Sequence, residues 1–173
     1  MTVVIPVLET PTLRLRGAEM RDFDAWAAFR ASDRAIHLGG PNTRGEAFEK
    51  LGEMIGHWQL RGYGRWVVTA RADDTALGVV GLYYPPDWPE PEVAWSVFEQ
   101  AEGRGVAHEA ACAARDYAYD TLGWTTAISA VAPDNDRSAA LARRMGAARE
   151  GQFTSDEGTL FDIWRHPAPE ARA

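Results

Sequence analysis

A single cysteine, Cys112, occurs in the 173 residues. That scarcity excludes an internal disulfide framework and a multi-cysteine zinc site, and it fits a reducing compartment. No apolar run approaches membrane-spanning length, and the segment from Met1 to Pro6 lacks the basic region and the length of a secretory signal. A soluble, cytoplasmic chain without a membrane partner is therefore expected. Positive charge is also in short supply. With 18 basic against 25 acidic residues the net charge is −7, so the electrostatic footprint of a nucleic-acid or anionic-membrane binder is missing. Internal repeats, low-complexity tracts and linkers are absent. What is present is ordinary for a globular chain: 46% hydrophobic and 25% charged residues exclude wholesale disorder. The length suits one domain over residues 1–173, with a core over about 8–165 and a tail, 166–173, whose Pro167 and Pro169 leave little that could pack.

Periodicity divides the chain into alternating elements. Leu13 and Leu15 alternate within 12–16, a first strand. Phe23, Trp26, Ala27 and Arg30 recur at helical spacing after Asp22. Thr43 followed by Glu46 is a capping box, opening a helix with Phe48, Leu51, Met54, Ile55 and Trp58 on one stripe. Residues 65–71 and 76–84 form two strands joined at Asp73-Asp74, followed by a proline-stiffened loop that carries Asp87 and Trp88. A strand over 92–98, a helix over 106–122, a strand over 125–132, a helix over 136–145 and a last strand over 159–164 complete the pattern. The order defines a mixed α/β domain whose strand–helix–strand unit at 92–132 is parallel.

The most informative segment is Gln100-Ala101-Glu102-Gly103-Arg104-Gly105-Val106-Ala107, placed between an apolar strand and a helix. First-turn N–H groups of a helix have no intrahelical partners, and the helix dipole adds partial positive charge there. Glycines at 103 and 105 let a phosphate approach those donors, which predicts a phosphate or diphosphate cradle. The spacing matches neither the dinucleotide fingerprint G-x-G-x-x-G nor the Walker loop. A bare chain reversal is the alternative reading of the turn.

The pattern Q-x-x-G-x-G resembles the pyrophosphate motif of the GNAT superfamily of acyl-CoA-dependent N-acyltransferases. Further segments match in order: the start Asn135-Asp136-Arg137-Ser138 of a helix running to Gly146 is similar to the second CoA segment. Residues 8–16 and 91–95 look like the opening and fourth strands of the branch containing the ribosomal-protein N-terminal acetyltransferases. The resemblance spans residues 8 to about 165. It implies a GNAT fold: a mixed central sheet splayed between the fourth strand (92–98) and the fifth (125–132), flanked by helices.

The resemblance also implies the chemistry. Acetyl-CoA is the expected donor, and a small-molecule amine or a peptide N-terminus the expected acceptor; homodimer formation stays open. Val97 and Phe98 are expected to meet the pantetheine arm by backbone contacts. Gly103, Arg104, Gly105, Val106 and Ala107 are expected to meet the diphosphate, with Gln100 supporting the loop and Asn135 meeting the pantetheine amides. Asn135 equally fits a plain helix N-cap, and Arg104 a solvated side chain. Glu92 is the expected base, acting through water; pairing with a loop arginine is the other reading. Ser138 is the nearest hydroxyl for an acid role, or else a cap or water anchor. The chain departs from the family at Ala142, where many members carry a tyrosine acid. That departure supports an alternative function, a catalytically idle CoA-binding sensor or interaction module.

His108-Glu109-Ala110-Ala111-Cys112 nearly matches a zinc signature, but no third ligand lies in a supporting motif, so no metal is expected. The stripe Val106, Ala110, Ala113 and Tyr117 is expected to face the sheet and turn His108 and Cys112 away from the cleft. Trp66, Trp88 and Trp95, with Tyr83 and Tyr84, are expected to border the acceptor side, whereas Trp26, Trp58, Trp124 and Trp164 are expected in the core.

Overall fold

Alternation along the strands sorts the apolar residues to two sides of one sheet. A computed structural model describes residues 3–172; Met1, Thr2 and Ala173, which the expected signal-free start and tail include, lie outside the described residues. The strands are β1 (Leu8–Glu9), β2 (Leu13–Arg16), β3 (Arg65–Ala70), β4 (Ala76–Tyr83), β5 (Glu92–Val97), β6 (Ile128–Val131), β7 (Ala148–Thr154) and β8 (Leu160–Arg165). Their order across the sheet is β1-β2-β3-β4-β5-β6-β8-β7. All neighbours are antiparallel except β5 and β6. The helices are α1 (Phe23–Arg30), α2 (Arg44–Arg61), α3 (Val106–Asp120) and α4 (Asp136–Arg144).

Val67, Val79 and Phe98 pack with Phe23, Trp26 and Phe29 of α1 and with Leu51 and Met54 of α2. Their neighbours in sequence, Trp66, Val68 and Val80, point the other way, under Ala110, Ala114 and Ala118 of α3. The sheet is thus covered on both faces, which a parallel strand pair requires. A third cluster joins Ala142 of α4 to Val131, Ala147 and Trp164. The capping box of α2 forms as the spacing predicts. The Glu46 N–H donates to Thr43 Oγ1 at 3.2 Å, and the Thr43 N–H to Glu46 Oε2 at 2.7 Å.

The mixed, helix-flanked sheet splayed at its parallel pair is the architecture that the resemblance implies. Because β1 precedes the first expected strand, the splay lies between β5 and β6. These strands share one register pair, Glu92 with Ile128, and then diverge. Several expectations need correction. The strand expected over 125–132 is only β6, and β7 was not foreseen: its Ala-Arg-Glu-Gly-Gln-Phe-Thr sequence is mostly exposed at the sheet edge and carries no apolar alternation. The residues following β8 do pack. His166 is 2% exposed, the Tyr119 hydroxyl donates to the Pro167 carbonyl at 2.8 Å, and Arg172 pairs with Asp120 at 2.7 Å. On α3 the buried stripe is Val106, Ala110, Ala114 and Ala118, while Ala113 and Tyr117 sit on its flank. On α2, Phe48 and Ile55 are exposed; Ala47, Leu51, Met54 and Trp58 form the buried stripe.

Candidate functional site

Two cavities meet where β5 and β6 part. The larger, about 990 Å³, runs from the splay to the N-terminus of α3 and the first turn of α4. The smaller, about 490 Å³, lies on the α1–α2 side of the sheet. Trp95, Ser96, Asn135 and Ser138 line both, as does the segment Ile36-His37-Leu38. Among the described residues no group of three or more His, Cys, Asp or Glu could hold a metal ion, and no helix is long and apolar enough to cross a membrane.

At one end of the larger cavity the chain turns through Gly103 (φ 72°) and Gly105 (φ 77°), both left-handed, and enters α3. L side chains adopt that region at a cost, so glycine is the residue of choice at both places. The first helical bond is donated by the Glu109 N–H to the Gly105 carbonyl, so the N–H groups of 106–108 precede it. A Cβ at either glycine would meet no protein atom within 4 Å and would project into open space. Beside this turn the Glu102 carboxylate bridges Arg34 Nη1 and Arg137 Nη1, each at 2.5 Å, and these charge-assisted bonds hold its pKa low. Gly103, Gly105, Val106, Ala107, Val97, Asn135 and Ser138 line the larger cavity.

Phe98 and Arg104 are placed differently from expectation. Phe98 is buried in the α1–α2 cluster; its N–H donates to Leu77 O at 2.9 Å and its carbonyl accepts from the Ala101 N–H at 3.0 Å. Alternation along β5 therefore directs the backbone groups of residues 93, 95 and 97 toward the splay, so Trp95 and Val97, rather than Phe98, face it, with the Val97 carbonyl accepting from Arg34 Nη2 at 3.3 Å. Gln100 Nε2 donates to the Ala76 carbonyl at 3.2 Å and so supports the loop from outside. The Arg104 guanidinium reaches back to the Gln100 carbonyl at 3.4 Å rather than into the cavity. Asn135 caps α4, with Oδ1 accepting from the Ser138 N–H at 3.2 Å, and the residue lines both cavities.

Glu92 is 4% exposed and lines the smaller cavity at the point of divergence. Its Oε1 accepts from the Trp88 indole N–H at 3.0 Å and its Oε2 from the Ala130 N–H at 2.7 Å. Burial pushes its pKa up to about 7, against the pull of those two hydrogen bonds and of the Arg65 charge. Pairing with a loop arginine is not what holds Glu92; an indole and a backbone amide do. Around it Trp88 makes edge contacts with Tyr83 and Phe153, at 5.6 and 5.2 Å between centroids, and a tilted contact with Phe161 at 5.3 Å. The Tyr83 hydroxyl donates to Glu53 Oε1 at 3.2 Å, and burial above all holds its proton in place.

Ser138 accepts from the Trp95 indole N–H at 3.1 Å, which ties α4 to β5 across the splay. Ala142, where a tyrosine acid is common in the family, is fully buried against Val131 and Trp164. Trp66 is not a wall of the acceptor side. It lies in the core against Trp58 and Tyr117. His108 lines the larger cavity instead of facing away, and Cys112 lies 3.8 Å from its Nε2. Burial raises the Cys112 pKa, which suits an inert thiol. Sequence reasoning missed Arg34 and the 33–38 segment altogether, since a short 3₁₀ stretch leaves no periodic signal. It also missed Arg137 as a polar member of the larger cavity's wall, whereas Tyr83 lines the smaller cavity as expected.

A sheet opened at its one parallel pair, with a glycine turn at one end of the opening and a buried carboxylate at the other, defines an acyl-transfer architecture. Residues 12–148 match the acetyltransferase (GNAT) domain, and the chain belongs to that family. An acetyltransferase from Agrobacterium tumefaciens is 33% identical over 96% of this chain and 97% of its own, with a TM-score of 0.86. A GNAT-family acetyltransferase from Bacillus anthracis shares the fold at 19% identity, over 95% of this chain and 99% of its own, with a TM-score of 0.78. RimL, a ribosomal-protein α-N-acetyltransferase solved in complex with coenzyme A, shares it at 18% identity, over 93% of this chain and 97% of its own, with a TM-score of 0.75.

Proposed function

We propose that this chain, acting as one domain, is an acetyl-CoA-dependent N-acetyltransferase that moves the acetyl group directly to a primary amine of a small molecule or a protein N-terminus. The observation that carries the reading is Glu92, a buried carboxylate whose pKa is pushed up to about 7, on the wall of the smaller cavity where β5 and β6 part. In this reading the larger cavity takes the donor. N–H groups of the turn at Gly103, Gly105, Val106 and Ala107 receive the diphosphate, and Arg34 and Arg137 exchange Glu102 for its oxygens. The backbone of Trp95 and Val97 pairs with the pantetheine amides, as an added strand would, once Arg34 leaves the Val97 carbonyl for the diphosphate. The coenzyme A held by RimL supports this choice of donor.

The smaller cavity takes the amine. An alkylammonium with pKa about 10.4 must lose a proton before it can attack, and an α-amine, at about 7.7–8.0, needs less help. Glu92 accepts that proton, directly or through a water, as its carboxylate becomes a carboxylic acid. The amine nitrogen bonds to the acetyl carbon, the carbon–sulfur bond breaks, the nitrogen gives up its second proton to solvent to become the amide, and the departing thiolate takes a proton from solvent. Ser138 orients Trp95 at the junction rather than serving as the acid.

Thiol release from acetyl-CoA, followed over a panel of amino acids, polyamines, aminoglycosides and peptide N-termini, tests the reading. With an active acceptor, Glu92→Gln should lower kcat by about 10²–10⁴-fold and leave CoA affinity unchanged, with the deficit shrinking at alkaline pH where the amine is already neutral. Binding of acetyl-CoA without turnover on any acceptor would favour the idle CoA-binding module that Ala142 suggests.

A further inference from the structure

The parallel ladder between β5 and β6 stops for a specific reason. Glu92 pairs with Ile128, and the Ile128 N–H reaches the Pro91 carbonyl at 3.5 Å. In a parallel ladder the next rung would run from the Ala130 N–H to the Val93 carbonyl. Both groups are already taken by side chains. The Ala130 N–H donates to Glu92 Oε2 at 2.7 Å, and the Val93 carbonyl accepts from the Ser129 hydroxyl at 2.6 Å. Ser129 is 1% exposed and is itself held: its Oγ lies 2.8 Å from His166 Nε2, and His166 Nδ1 lies 3.4 Å from Arg115 Nη1. Since Ser129 spends its proton on Val93, its Oγ accepts from His166 Nε2–H, and Nδ1 accepts from the arginine. Arg115 Nη1 also donates to the Met145 carbonyl at 2.7 Å, anchoring the chain of bonds on α3 and the end of α4.

We propose that Ser129, supported by His166, is a positioning residue: by occupying the Val93 carbonyl it blocks the next ladder rung and so reserves the Ala130 N–H for Glu92. The two side chains act as a wedge. Glu92 caps the donor of the missing rung and Ser129 caps its acceptor, so neither buried group is left unpaired. Without the hydroxyl, the cheapest way to satisfy Val93 is to close the rung, because an unpaired buried carbonyl is costly. Closing it takes the Ala130 N–H from Glu92, leaves the carboxylate with Trp88 alone, and zips the strands one step further toward Trp95. The part that concerns catalysis rests on the acetyltransferase reading of Glu92; the hydrogen-bond pattern does not.

The test is made on the intact protein by NMR. Through-hydrogen-bond couplings identify the partner of the Ala130 N–H, and the ¹³C signal of the Glu92 carboxyl reports its titration. Wild type should couple Ala130 N to the Glu92 carboxyl carbon and not to the Val93 carbonyl. Ser129→Ala should show the Val93 coupling instead, and the Glu92 midpoint should move up by roughly one pH unit as one stabilising bond to the anion is lost. Ser129→Thr, which keeps the hydroxyl, should retain the wild-type couplings and midpoint. The other charged or titratable groups on the walls around Glu92 are Arg65 on β3, Tyr83 on β4, Arg30 on α1, Lys50 and Glu53 on α2, His37 in the 33–38 segment, and Asp87, Asp156 and Glu157 in loops; all are unchanged by these substitutions. A wild-type coupling from Ala130 to the Val93 carbonyl overturns the proposal without any variant. So does a folded Ser129→Ala protein whose Glu92 midpoint and couplings match wild type. Normal turnover by Glu92→Gln would instead remove the catalytic reading while leaving the wedge measurable.

Discussion

Glu92 and His166 lie on either side of the Val93–Ser129 hydrogen bond, and burial shifts them in opposite senses. Glu92 is raised from an ordinary 4.5 to about 7, so its folded form binds a proton that the unfolded chain releases between those values. Its contribution to stability is complete below about 4.5 and is lost as pH rises through about 7. His166 is lowered from 6.5 to about 3, chiefly by burial and then by the charges of Arg115 and Arg165. Its contribution is complete above 6.5 and is lost as pH falls toward about 3. Between pH 4.5 and 6.5 the two slopes oppose each other. Relative to wild type, Glu92→Gln should therefore lose Tm more steeply on acidification below pH 6.5, and His166→Gln should lose it more steeply as pH rises toward 7. Calorimetric melts of both variants across this range check the signs; parallel curves for all three proteins would contradict them.

At the scale of elements, the junction of β5 with α3 carries the strongest expectation. Gly103 and Gly105 hold left-handed backbone on the wall of the larger cavity, where a side chain costs roughly 1–2 kcal/mol and its Cβ would meet no protein atom within 4 Å. Gly103→Val should weaken CoA binding at least tenfold in titration calorimetry while lowering Tm by only a few degrees, because no packed neighbour is displaced. By contrast, Cys112→Ala on α3 should leave turnover within about twofold of wild type, since a half-buried thiol of raised pKa is no nucleophile. Loss of turnover in a folded Cys112→Ala protein would return the His108–Cys112 pair to consideration.

At the scale of the whole molecule, the open splay is a cost that ligand can offset. The edges at Trp95 and Val97 have lost their sheet partner, and Arg34 and Arg137 at the larger cavity share the Glu102 carboxylate, with Arg34 also donating to the Val97 carbonyl at 3.3 Å. A ligand that binds the folded form alone stabilises it by about 2.7 kcal/mol at a hundredfold excess over Kd. CoA should accordingly raise Tm by several degrees, and an unchanged melt at millimolar CoA, with no heat on titration, would remove the acyl-CoA reading. Arg137→Ala should reduce the shift and Arg104→Ala should leave it nearly whole, because only the former side chain lines the cavity.

Local chemistry sufficed for much of this protein. The capping box at Thr43, the left-handed glycines before α3 and the alternation of β2 to β5 depend on neighbours a few residues apart, so they can be read along the chain. The ordered motifs from residue 8 to about 165 likewise carried the family, and with it the splay. Residues whose role depends on register or on distant partners were not legible in that way. Phe98 turns its backbone away from the splay, leaving Trp95 and Val97 to face it, because the hydrogen-bonding alternation of β5 is set by Leu77 on β4. β7 is an exposed edge without a pattern, and His166 looked like tail until Ser129 and Arg115 enclosed it. Glu92 could be named from its position, but its environment could not: Trp88 arrives from the proline loop and Ala130 from a strand 38 residues away. Sequence determined which groups the protein has and the strands they occupy. Tertiary structure alone decided which of them lose water and which partners they keep, and those two terms set the charge of a buried carboxylate.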